Sequence, residues 1–173
     1  MTRAEFIKIM ERCQNGDKKA LGILYEEYFG QLFVTAYQIL RDSDAAYDVA
    51  TNVVLTLLEF KRDVTTIDNH VGYLVTMVQN EAKDFIKRRR REIYVPEVRN
   101  SRDGVVVYYD TLWLDDIYRV LTESEKELFM IHYVWDMPLK EAARKLGITY
   151  AAVKTRNVKL KEKIRSVYKK GRK

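Results

Sequence analysis

Between Leu139 and Lys163 (LKEAARKLGITYAAVKTRNVKLKEK), the side chains able to do chemistry are cations and small polar groups: Tyr150, Lys154, Thr155, Arg156 and Lys159. They fall on faces away from an apolar stripe, Val153, Leu160 and Ile164, whose spacing predicts a helix starting at Thr149. Lys161 and Lys163 extend the basic surface. Ammonium and guanidinium groups at this density suit phosphate binding, and an Arg or Thr near a helix N-terminus can reach base edges in a DNA groove. The plain alternative is a solvated basic face on a surface helix. A second set lies on a predicted helix from about His70 to Arg91. There Tyr73, Thr76, Gln79, Asn80, Lys83 and Lys87 lead into Arg88, Arg89, Arg90 and Arg91. Cations complement a helix C-terminus, but four arginines exceed that need, and the stripe reads as a nucleic-acid face. Tyr73 could stack on an exposed base or pack half-buried.

The elements that must position these groups are legible in local chemistry. Counting from Leu139, Ala143, Gly147 and Val153 stand at positions five, nine and fifteen. That spacing predicts a helix-turn-helix: a small residue at the crossing, a glycine free to take positive φ at the turn, and an apolar side chain from the second helix. Pro138 suits the start of the first helix and Thr149 the N-cap of the second. Asn157 falls on the face that should be apolar, with Val158 beside it as a candidate to take over the packing.

Composition narrows the class. The chain has 173 residues, an apolar fraction of 47%, seven Gly and two Pro, which points to an all-α protein of one domain or two small ones. The formal net charge is +6, and the segment from Arg144 to Lys173 holds twelve Lys or Arg against the single acid Glu162. An acidic partner such as nucleic acid is expected. The lone Cys13 excludes an internal disulfide, and His70 and His132 have no ligand pattern around them, so no metal is expected. There is no phosphate-cradling glycine loop, nucleophile elbow or paired-His motif, so the sequence predicts neither an enzyme nor a cofactor, and no small-molecule substrate. No signal pattern and no run of about 18 apolar residues is present; a cytoplasmic location without a membrane partner is expected.

In chain order, helices are expected over Thr2 to Gln14, from Asp17 to a break at Gly30, then from Leu32 to Leu40. Asp42, Ser43 or Asp44 caps a helix of about Ala45 to Phe60, with Val49, Ala50, Val53, Val54, Leu57 and Leu58 inward. Lys61 to Asn69 is expected to be an exposed polar loop. The long helix buries Val71, Leu74, Val75, Val78, Ala82, Phe85 and Ile86. Residues 92–110, with Pro96 and the Val105 to Tyr109 run, read as a linker whose apolar part packs on a domain or partner. Thr111 to Leu121 is a helix. A capping box at Thr122 and Glu125 opens the next, running to Trp135 with Leu128, Phe129, Ile131 and Tyr133 buried.

This order resembles the bacterial sigma-70 family, in its extracytoplasmic-function (ECF) group. The resemblance rests on Ala20 to Tyr28 (ALGILYEEY), Asp44 to Val49 (DAAYDV), Tyr73-Leu74 through Asn80 to Asp84, Phe85 and Ile86 with the arginine run, Leu121 to Phe129 (LTESEKELF) and Gly147 to Arg156 (GITYAAVKTR). It implies two small helical domains: a region 2-like domain over 1–91, a linker over 92–110, and a region 4-like domain over 111–173. It also implies a factor that binds core RNA polymerase and directs promoter-specific initiation, with promoter DNA and an anti-sigma factor as further partners. Tyr150, Lys154, Thr155, Arg156 and Lys159 would then read the −35 element. Tyr73, Thr76, Asn80, Lys83, Lys87, Arg88 and Arg90 would meet the −10 element, and the Lys61 to Asn69 loop would accept a flipped base. Asp48, Thr51, Asn52 and Leu55 would face the polymerase. Tyr47, Thr51 and Asn52 depart from the family's Glu, Gln and acid at those positions. The alternatives are a helix-turn-helix regulator acting without core polymerase, or a helical protein whose basic faces bind nucleic acid or membrane without sequence preference.

Overall fold

The computed structural model describes residues 1–61, 63–92 and 112–170, leaving aside the side chains of 90–92, 112–113 and 168–170. Among the described residues every regular element is helical. The chain divides into two compact units, Met1–Gly104 and Val105–Lys173. Of the linker expected over 92–110, Glu92 instead ends α4, and the rest lies outside the described residues.

The first unit is built from α1 (Arg3–Gln14), α2 (Lys18–Leu40), α3 (Ser43–Leu58), a 3-10 turn (Val64–Thr66) and α4 (His70–Glu92). Local capping sets the starts. Thr2 and Glu5 form a capping box on α1, Asp17 accepts the Lys19 and Ala20 amides at the head of α2, and Asp42 accepts the Ala45 amide at the head of α3. Each cap satisfies amides that the helix leaves orphaned. The helices α2, α3 and α4 pack on one another, with α1 across α2 and α3. The shared core is Phe6, Met10, Leu24, Phe29, Leu32, Val49, Leu57 and Leu74, each at most 1% exposed.

Three expectations for this unit are corrected. Gly30 does not break the chain: α2 runs unbroken through it. A mid-helix glycine costs roughly 0.5–1 kcal/mol, and burial of neighbouring Phe29, Leu32 and Phe33, at about 1.5–3 kcal/mol each, outweighs it. The stretch from Lys61 to Asn69 is not uniformly exposed, because Val64, the first residue of the turn, and Ile67, just after it, are buried. In α4 only Leu74, Val78 and Ala82 of the expected stripe are buried, while Val71, Val75, Phe85 and Ile86 are half-buried.

The second unit comprises α5 (Leu112–Val120), α6 (Glu123–Leu128), a π-helical stretch (Phe129–Val134), α7 (Leu139–Lys145) and α8 (Tyr150–Lys170). The capping box of Thr122 and Glu125 is present. Helix α8 packs against α5, α6 and α7 around Leu114, Ile117, Leu128, Ala142, Val153 and Leu160, each at most 1% exposed. The expected single helix from Thr122 to Trp135 widens at Phe129, where the Trp135 amide reaches back to the Met130 carbonyl at 3.0 Å. Wider hydrogen-bond closure alters the angular step per residue. As a result Met130, not Ile131, is buried, and Tyr133 lies at the surface.

Candidate nucleic-acid interface

The helix-turn-helix is built as its spacing predicts. Helix α7 ends at Gly147 with φ of +64°. The Ile148 amide returns to the Ala143 carbonyl at 3.0 Å and the Gly147 amide to Arg144 at 3.2 Å, the paired closure of a Schellman turn. The Ala152 amide donates to the Thr149 hydroxyl at 3.2 Å, so Thr149 caps α8. Ala143 and Val153 are buried where the two helices meet.

Helix α8 divides its polar side chains between two tasks. Tyr150, Lys154, Thr155 and Lys159 are exposed, and the Lys154 ammonium lies 5.7 Å from the centre of the Tyr150 ring. This contact keeps both side chains at the helix's N-terminal end, within reach of a ligand. Arg156 is half-buried and turned inward enough to reach the Ser124 carbonyl at 3.4 Å. Lys163 is held at 2.6 Å by Glu125, so it anchors α8 to α6 rather than extending the outward basic surface. Burial alone would raise the Glu125 carboxyl, but hydrogen bonds from Lys163 and Thr122 more than offset this and hold it below its usual value. Asn157 is buried, and its side-chain oxygen accepts the Tyr133 hydroxyl at 2.7 Å. Val158 does not take over the packing: it is 57% exposed. Ile164 is half-buried.

In the first unit, Asn69 accepts the Gly72 amide at 2.9 Å and starts α4. Tyr73 is half-buried, its ring edge-on to Phe60 at 5.8 Å. Thr76 is exposed but donates to the Gly72 carbonyl at 2.8 Å. Asn80 and Lys83 are exposed. Lys87 pairs with Asp84 at 3.2 Å, Arg88 with Glu81 at 2.8 Å and Arg89 with Asp42 at 2.9 Å. The Arg90 side chain lies outside the described residues. Asp42 is held below the ordinary carboxylate range, first by the Ala45 amide and then by Arg89.

On α3, Asp48 and Asn52 are exposed and Leu55 is 50% exposed. Thr51 is half-buried, with a buried hydroxyl that meets no hydrogen-bond partner. The Asn52 amide donates to Glu81 at 3.2 Å, on the same carboxylate oxygen that receives Arg88. Glu81 thus links the two faces, a role the sequence pattern left unassigned. Two more residues escaped the pattern. Arg3 donates to the carbonyls of Ile67 at 2.9 Å and Thr65 at 2.7 Å, and Gln14 donates to Phe60 at 2.8 Å. Only the positive charge of Arg3 could have hinted at this, because its partners are more than sixty residues away in sequence.

Residues 111–164 match the family model described as Sigma-70, region 4. The chain is also 26% identical over 162 residues to the ECF RNA polymerase sigma factor BldN of Streptomyces coelicolor; the match covers 88% of this chain and 61% of that protein. The chain therefore spans about three-fifths of the length of the curated relative it matches. Among the described residues no helix is long and apolar enough to cross a membrane.

Proposed function

We propose that the chain is a sigma factor of the sigma-70 family, extracytoplasmic-function group, which binds core RNA polymerase and directs it to specific promoters; its similarity to the Sigma-70 region 4 model and to BldN supports this reading. The observation that carries this reading is the Gly147 turn, which sets Tyr150, Lys154, Thr155 and Lys159 outward on a helix of the right kind to enter a major groove. In this proposal residues 1–91 act as the region 2-like domain, 92–110 as the linker and 111–173 as the region 4-like domain. Lys154, Thr155 and Lys159, with Tyr150 and Arg156 at the edges, read the −35 element. Tyr73, Thr76, Asn80, Lys83, Lys87, Arg88 and Arg90 line the −10 contact. Asp48, Thr51, Asn52 and Leu55 face the polymerase. The factor works without a catalytic centre of its own, in the bacterial cytoplasm, and an anti-sigma factor is its expected regulator.

Purified chain mixed with core polymerase at low salt is expected to form a complex and to start transcripts at discrete sites on genomic DNA. Absence of any complex with core would remove the proposal. A second reading, a DNA-binding regulator that needs no polymerase, draws on the α3 face, where Thr51 buries its hydroxyl and Asn52 turns its amide to Glu81. It predicts sequence-specific duplex binding by the chain alone, with no complex and no strand opening.

A further inference from the structure

We propose that α1 is a splint for the Lys61 to Asn69 loop, and that Arg3 is a positioning residue for the base this loop would accept. The inference rests on the reading, implied by the sigma-70 resemblance, that this loop accepts a flipped base of the −10 element, and adds the part that gives the loop its shape. Helix α1 grips the segment at three points. At its entry, Gln14 donates to the Phe60 carbonyl at 2.8 Å. In its middle, the Arg3 guanidinium forks onto the carbonyls of Thr65 at 2.7 Å and Ile67 at 2.9 Å. At its exit, the Phe6 ring stacks on His70, the first residue of α4, with centroids 5.0 Å apart.

The loop cannot supply this order by itself. Asp63 caps the Thr65 amide at 2.8 Å and Val64 and Ile67 tuck inward, which fixes one turn. The carbonyls of Thr65, at the surface, and Ile67, part-buried, are both met by the planar guanidinium at once, which a lysine ammonium does less well. Arg3 also lies 3.7 Å from Asp68. The loop's own charges balance, Lys61 and Arg62 against Asp63 and Asp68, so a further cation beside it tips the local charge toward attraction of a phosphodiester strand. A base-accepting surface works best when its backbone is fixed before the ligand arrives, because ordering it on binding costs affinity and blurs discrimination.

The test uses the full chain bound to core polymerase and a pool of randomised single-stranded DNA, sequenced before and after capture. Wild type is expected to enrich one base strongly at one position. Arg3→Ala should lower that single preference by about tenfold, the scale of a lost charge-assisted hydrogen bond, with preferences elsewhere unchanged. Arg3→Lys should keep part of it. Lys8→Ala, exposed on the same helix, should match wild type. If Arg3→Ala loses its cooperative thermal transition, Gln14→Ala, which removes one peripheral attachment, carries the same expectation. A wild-type preference retained in Arg3→Ala, or one weakened evenly at every position, overturns the splint. A wild-type pool with no preference anywhere instead overturns the −10 reading of the loop, and the splint with it.

Discussion

Asn157 occupies a position in α8 that the helical period assigns to an apolar side chain, and the Tyr133 hydroxyl 2.7 Å away explains why it is tolerated. A buried amide with a partner costs little, whereas one stripped of its partner costs about 1–3 kcal/mol. Tyr133→Phe is therefore expected to lower stability by roughly 1–2 kcal/mol in urea denaturation. Adding Asn157→Leu to it should recover most of that loss; a double variant no better than the single one would refute the pairing. The misfit at Asn157 was visible in the sequence, but its remedy was not, because the donor lies 24 residues earlier and reaches it only after α8 has docked. Glu125 makes a second residue-scale prediction. Its folded pKa lies below its usual value of 4.5, so its contribution is present above the unfolded pKa and lost as pH falls through the folded one. The stability gap between wild type and Glu125→Gln should hold steady near neutral pH and narrow below about pH 4.5. A gap that stays constant down to about pH 3 would contradict the Lys163 ion pair as its source.

Among elements, two glycines show how the same residue serves opposite ends. Gly147 sits at φ +64°, a region that costs an L-residue roughly 1–2 kcal/mol. Gly147→Ala should lose about that much stability and weaken DNA binding, since the same turn aims α8. Gly30 lies inside α2, and a Cβ built there meets nothing within 4 Å. Gly30→Ala should therefore raise stability by about 0.5–1 kcal/mol, read as a higher urea midpoint with unchanged slope. The starts of α1, α2, α3, α6 and α8 could be read in advance, because a cap is made between residues two to three apart. The continuity of α2 through Gly30 and the widening at Phe129 could not. Both are decided by packing against other helices, which overrides local preference. The burial of Val64 and Ile67 escaped for the same reason: a β-branched run in a polar loop gives no sign of the helix waiting to cover it.

At the scale of the molecule, charge is less freely displayed than composition suggests. The formal excess of +6 overstates what the α4 arginines offer, since Arg89 is paired with Asp42 and Arg88 with Glu81. A cation already neutralised by an internal acid releases fewer counterions when it meets phosphate. Lys154→Ala and Lys159→Ala should each flatten the salt dependence of DNA binding by about 0.9 in log–log slope. Asp42→Asn should steepen it, because asparagine keeps the cap on α3 while giving up the charge that occupies Arg89. Equal slopes for wild type and Asp42→Asn would show that Arg89 leaves its acid without cost. The order of the two helical units and the basic face of α8 were legible from pattern alone. The sharing of arginines among acids was not, with Arg89 and Asp42 47 residues apart.

The π-helical stretch from Phe129 to Val134 has a bearing on how this sequence can change in length. Loops accept insertions and deletions because nothing downstream depends on their rotation. A residue removed from a π turn lets it relax to α-helix, and because the wider turn already spreads its extra residue over one revolution, the next part of the chain keeps nearly the same azimuth. In this protein the next part is Trp135, the start of α7 and then α8. A single-residue deletion in this turn is therefore a change of length that the helix itself can absorb, leaving the direction in which the chain runs on toward α7 and α8 nearly as it was.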